Sequence, residues 1–157
     1  MVPTFFDYLQ PDGALVQVHL GLSTVARQAL WKQSKAVPPA IQKIGLLDTG
    51  AEGTAIDTQA VLPQLQQMGV QRTNFGLTNT PALGGLAGSV SWMIDFVIIP
   101  PWQGRARPAF APLVRRNLPV EDLNIGRLGY DVLIGRDVLN SCRFDFDGFS
   151  SAFWLTY

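Results

Sequence analysis

The most regular alternation in the chain runs from residue 90 to residue 98, where Val90, Trp92, Ile94, Phe96 and Ile98 alternate with Ser91, Met93, Asp95 and Val97. A period of two sends the two sets to opposite faces of a pleated strand, so this stretch predicts a strand with one buried face. Over 14–20, Val16, Val18 and Leu20 alternate with Gln17 and His19 and predict a second half-buried strand. Val25, Ala29 and Leu30 recur at helical spacing behind a Ser23 cap, which predicts a helix over 23–36, stopped by Pro38-Pro39. Asp57 is placed to cap a further helix carrying Val61, Leu65 and Met68 on one face and ending at Gly69, with Pro63 disturbing its first turns. Strands are expected at 73–80, 110–118 and 130–134, a connection at 120–129, a short helix at 136–141, and an exposed Pro/Gly/Arg-rich loop at 100–107. Asp147-Gly148 signals a hairpin between 142–146 and 152–157. The last of these strands is aromatic and, if unpaired, would be an adhesive edge. Together these elements describe a mostly β chain with short helices.

One segment breaks the apolar–polar pattern. In Ile44-Gly45-Leu46-Leu47-Asp48-Thr49-Gly50-Ala51-Glu52-Gly53, a carboxylate directly follows an apolar run that reads as a buried strand end. Gly50 and Gly53 give the backbone freedom to reverse there, which would set Asp48 at the floor of a cleft. Asp-Thr-Gly alone is ordinary turn chemistry. A second apolar run downstream, Val132-Leu133-Ile134, also ends in glycine and continues as Gly135-Arg136-Asp137-Val138-Leu139.

These two segments resemble the retroviral-type aspartic proteases, the retropepsins, in a bacterial-looking version. That family has an Asp-Thr/Ser-Gly-Ala turn after an apolar run, a glycine-rich flap, and an Ile-Gly-Arg-Asp/Asn segment that braces the turn. Here Ala82-Leu83-Gly84-Gly85-Leu86-Ala87-Gly88 stands where the flap belongs, so the likeness covers roughly 44–142 in order and spacing. The resemblance implies a single domain over 1–157, with an N-terminal strand and helix over 1–43 and the protease core over 44–157. It also implies a closed, barrel-like sheet with a flap hairpin and short helices, forming half of a two-fold dimeric enzyme.

The expected activity is aspartic endopeptidase cleavage of a polypeptide, with Asp48 meeting its copy across a homodimer axis. The carboxylates share one proton, because like charges so close cannot both ionise. Thr49 would bond across the axis, Gly50 would let the backbone approach the dyad, and Glu52 with Arg136 would form an ion pair supporting the loop. Ala51 lacks the hydroxyl that pepsin-like enzymes often use to bond the carboxylate, which suggests activity at weakly acidic to near-neutral pH. Leu83, Gly84, Gly85 and Leu86 would form the flap over the substrate, and Val132 and Ile134 are candidates for lining its pockets. The family's interleaved termini would cover the aromatic last strand. The alternative is a catalytically silent peptide-binding or assembly module of the same fold.

Composition narrows the remaining classes. The 157 residues carry no net charge, 12 basic against 12 acidic, and no basic run longer than Arg115-Arg116, so no nucleic-acid footprint is expected. At 47% hydrophobic and 15% charged residues, the chain has more apolar surface than one small domain readily hides, which favours a subunit interface. No apolar run approaches a bilayer span, the start lacks the features of a signal peptide, and Cys142 is the single cysteine, so the expectation is a cytoplasmic protein without a membrane partner. His19 is the only histidine and falls on a polar face, which leaves no metal or Ser-His-Asp constellation and no cofactor to expect.

Overall fold

The computed structural model describes residues 3–80, 85–100 and 111–157, with the side chains of 74–80 and 85–89 left aside. The expected loop at 100–107 therefore lies almost wholly outside the described residues, as do Leu83 and Gly84. In chain order the elements are β1 (Thr4–Tyr8), β2 (Leu15–Leu22), α1 (Thr24–Lys32), β3 (Ile41–Leu47), β4 (Ala55–Asp57), α2 (Leu62–Gln67) and β5 (Arg72–Thr80). They continue with β6 (Gly85–Ile99), β7 (Leu113–Leu123), β8 (Val132–Ile134), α3 (Arg136–Leu139), β9 (Arg143–Asp147) and β10 (Ala152–Thr156).

Six strands close into a barrel in the order β2-β3-β8-β4-β7-β6, with β6 returning to β2 and β5 added outside β6. Closure gives each of these six strands a neighbour on both sides, which suits a chain this apolar. The alternations foreseen in the sequence line the barrel: Val16, Val18, Leu20 and Leu22 from β2 meet Trp92, Ile94, Phe96 and Ile98 from β6, all buried. His19 stands on the opposite face of β2, half-buried. No helix among the described residues is long and apolar enough to cross a membrane.

A second sheet, ordered β1-β10-β9, packs Phe5, Phe153 and Leu155 into the same core as the barrel. The aromatic C-terminal strand is thus no open edge. β1 pairs with it along Thr4–Tyr8 on one side and β9 along the other, all within one chain. Asp147 belongs to β9 and pairs with Ala152, so Gly148–Ser151 form a four-residue loop in place of the two-residue turn that Asp-Gly suggested.

Several boundaries differ from expectation for identifiable reasons. The connection expected at 120–129 begins as strand, because β7 runs on to Leu123 to pair in parallel with β4. The helix α2 starts only at Leu62, with Pro63 in its first turn, where a missing N–H costs nothing. Helix α1 buries no residue fully: Ala26 and Leu30 pack on the core, whereas Val25, expected on the buried face, is 65% exposed.

A buried acid sets the rotation of α1. Asp95 breaks the alternation of β6 by lying buried, and it accepts hydrogen bonds from the N–H and hydroxyl of Thr24 (both 2.8 Å) while pairing with Arg27. It also accepts the N–H of Asn117 (2.9 Å) where β7 carries one residue more than β6, between the pairs Ile94↔Leu118 and Phe96↔Arg115. Asn117 holds a left-handed backbone there (φ 52°), and the helix N-terminus docks at this bulge.

Asp57, expected as a helix cap, does more. Its Oδ1 accepts the N–H groups of Gln59 (2.9 Å) and Ala60 (2.5 Å), and its Oδ2 those of Ile125 (3.1 Å) and Gly126 (2.6 Å). One carboxylate, 1% exposed, thereby ties the turn before α2 to the connection between β7 and β8. Burial pushes its pKa up, but the four N–H donors outweigh burial and hold it below the ordinary 3.8. With a depressed native pKa, the stability it contributes is complete above the unfolded value and is lost as pH falls through the native one. Asp57→Asn, which turns an amide NH2 toward N–H donors, should cost ~2 to 4 kcal/mol at neutral pH. In denaturant titrations the gap from wild type should narrow below pH 3.8; a gap unchanged by acid would contradict this role.

Candidate functional site

β8 lies between β3 and β4, parallel to the first and antiparallel to the second, although β3 and β4 are consecutive in sequence. The chain leaving β3 must therefore cross the end of β8 before it can enter β4. That crossing is the Asp-Thr-Gly segment. Asp48 N–H bonds the Ile134 carbonyl (3.0 Å), and on the far side Arg136 N–H bonds the Ala51 carbonyl (2.9 Å) and Asp137 N–H the Glu52 carbonyl (3.1 Å). Main chain thus clamps the loop onto the β8–α3 turn at three points.

Within the loop, Gly50 N–H donates to Asp48 Oδ1 (2.8 Å), which fixes the carboxylate over its own turn. Asp48 is half-buried, while Thr49, Gly50 and Glu52 are exposed. The expected Glu52–Arg136 ion pair forms, at 3.3 Å, but the side chains are 92% and 47% exposed, so the pair adds little. The stronger brace is Asp137, which sequence reasoning passed over. Its carboxylate accepts the N–H (2.9 Å) and hydroxyl (2.7 Å) of buried Thr54, and that hydroxyl accepts Gly135 N–H (3.2 Å). The available signal was an acid in the first turn of a helix entered through glycine. Gly135 is required by space, since a Cβ there would lie 2.3 Å from the Gly53 carbonyl oxygen.

The pocket-lining assignments need correction. Val132 and Ile134 are 0% exposed and point into the barrel, so neither presents a side chain beside Asp48. Strand parity selects the other face: Leu46, two residues before Asp48, shares its side of β3. The register pairs Leu46 with Leu15 on β2 and with Leu133 on β8, and Leu133 with Ala55 on β4. Leu15, Leu46, Leu133 and Ala55 therefore form one apolar row across four strands, one step below Asp48. Leu123, Ile125 and Tyr130 pack against this row and make a second, smaller core cluster outside the barrel. Ile44, expected in the buried strand end, belongs to the same outer side of β3 and is 42% exposed.

Tyr130 carries an electrostatic mark of this neighbourhood. Burial and then the Asp48 charge raise its phenol above the ordinary 10.0, so it is a neutral donor throughout the physiological range. Of the expected flap, Gly85 and Leu86 open β6, with Gly85 paired to Thr80 and Leu86 to Asn79 of β5. Among the described residues no cluster of three or more His, Cys, Asp or Glu is arranged to hold a metal. Among the described residues, only the Gly50 N–H is hydrogen-bonded to the Asp48 side chain.

The chain matches no model of a known protein family, and no characterised protein matches it.

The contact at Gly135 yields a direct test. Gly135→Ala drives a methyl into backbone, which no rotamer change relieves, and should cost ~2 to 4 kcal/mol. In amide hydrogen exchange Arg136 and Asp137 should lose protection ahead of the barrel strands. An unshifted melting temperature with full protection of both amides would show that the clamp tolerates a side chain.

Proposed function

We propose that the chain is an aspartic endopeptidase of the retropepsin kind, active as a homodimer in which two Asp48 carboxylates share one proton. The observation that carries this reading is the placement of Asp48: a half-buried carboxylate in a loop clamped to β8 and α3, directly above an apolar row. Catalytic acids need rigid backing and an open front. The clamps supply the first, and the exposed Thr49-Gly50 turn supplies the second.

Hydrolysis then divides between the two copies of Asp48. The ionised one takes a proton from water, whose oxygen attacks the scissile carbonyl while the protonated one hydrogen-bonds the carbonyl oxygen as charge develops there; the proton taken from water then passes to the amide nitrogen as the C–N bond breaks, releasing an amine and a carboxylic acid and leaving one proton on the pair. An extended peptide lies against the part of the apolar row that Leu123, Ile125 and Tyr130 leave open, its side chains on the half-buried Leu46 and Leu133 and its main chain bonding as an added strand. The dimer reading draws support from the β1-β10-β9 sheet, whose outer side stacks Phe6 on Trp154 (centroids 5.9 Å apart) beside Tyr8, itself 59% exposed. Aromatic surface of this kind is more often covered than wet.

Cleavage of an unfolded protein or a peptide library tests the proposal. Asp48→Asn should lower the rate at least ~1,000-fold while leaving the melting temperature nearly unchanged, and specific activity should rise with protein concentration until the dimer saturates. A folded dimer that cleaves nothing from acidic to neutral pH, yet binds peptides, would replace the enzyme by a peptide-binding or assembly module.

A further inference from the structure

Tyr130 is the one residue of the outer apolar cluster that also carries a polar group, and its surroundings hold it rigidly. The residue before it, Gly129, adopts a left-handed backbone (φ 86°) packed against the Asp12 carboxylate. The residue after it, Asp131, is fixed on three sides: its N–H bonds the Ile44 carbonyl (3.0 Å), its carbonyl accepts Asp57 N–H (2.9 Å), and its Oδ2 accepts Ile44 N–H (3.3 Å). The ring is buried, with the whole residue 8% exposed. Its hydroxyl, however, bonds no described residue, and it is not among the sealed polar atoms without partners, which among the described residues are Arg27 Nε and Trp92 Nε1. What Tyr130 shows to solvent therefore includes its hydroxyl, on the side of the molecule where Asp48 stands.

We propose that Tyr130 is a substrate-binding residue whose ring closes the apolar row beside Asp48 and whose hydroxyl donates a hydrogen bond to a main-chain carbonyl of the bound peptide. The assignment rests on the endopeptidase reading for the identity of its ligand. A buried ring with a solvent-reaching donor at its tip can exchange water for an acceptor on a ligand, and burial, followed by the Asp48 charge, keeps that donor protonated. A contact made equally in the ground and transition states strengthens binding without accelerating chemistry.

Wild type and Tyr130→Phe are compared in cleavage of one peptide and, by calorimetry, in binding of the same peptide with statine in place of its scissile pair. The ring is retained, so an unchanged melting temperature is expected. The variant should raise KM and the statine peptide's Kd about three- to ten-fold with kcat within two-fold. Unchanged KM and Kd would overturn the assignment, and so would a fall in kcat at constant KM, which would place the hydroxyl on the reacting atoms. If wild type binds the statine peptide but cleaves nothing, the endopeptidase reading fails, while a weaker Kd in the variant still upholds the Tyr130 contact. Failure of wild type to bind the statine peptide at all overturns both.

Discussion

The insertion of β8 between β3 and β4 is the constraint from which the site follows. A strand of three residues, Val132–Ile134, pairs on both sides with strands that are consecutive in sequence, so the segment joining them has one path, across the end of β8. Glycine at 135 lets that segment come into backbone contact, and three main-chain bonds with the Asp137–Thr54 pair hold it there. The position of Asp48 is thus a property of the topology rather than of its own side-chain hydrogen bonds, of which there is one among the described residues.

Two buried carboxylates hold the frame around that crossing by the same physics. Asp57 and Asp95 each sit where backbone N–H groups lack ladder partners, at a connection in one case and at a bulge joined to a helix start in the other. A charge taken out of water is costly unless its lone pairs are filled, and each of these acids collects four donors. Each therefore specifies one arrangement of several segments, because any other arrangement would strand the charge.

Periodicity made the barrel-lining faces of β2 and β6 legible, along with the two apolar runs that become β3 and β8. Pairing partners were not legible. Nothing local in Thr4–Tyr8 announces that it covers the C-terminal strand, since that contact spans nearly the whole chain. The same gap explains the misassigned pocket. Val132 and Ile134 are as apolar as a pocket lining requires, but only the register of β3 on β8 shows that Leu133 shares the face of Leu46 and Asp48. Asp95 could have been marked as the single charge among otherwise apolar or neutral positions in a strong strand, while its partners Thr24 and Arg27 lay about seventy residues away. Nothing local to Tyr130, in an expected strand, announces that the Asp48 charge acts on its phenol.

The central claim is that one chain holds half of a catalytic centre and symmetry supplies the rest. The most direct measurement mixes wild-type and Asp48→Asn subunits at fixed total concentration, allows exchange, and follows peptide cleavage against the wild-type fraction. If both carboxylates are needed, activity falls as the square of that fraction, to about a quarter at an equal mixture. A linear fall, with half the activity retained, would mean that each chain works alone and would contradict the account.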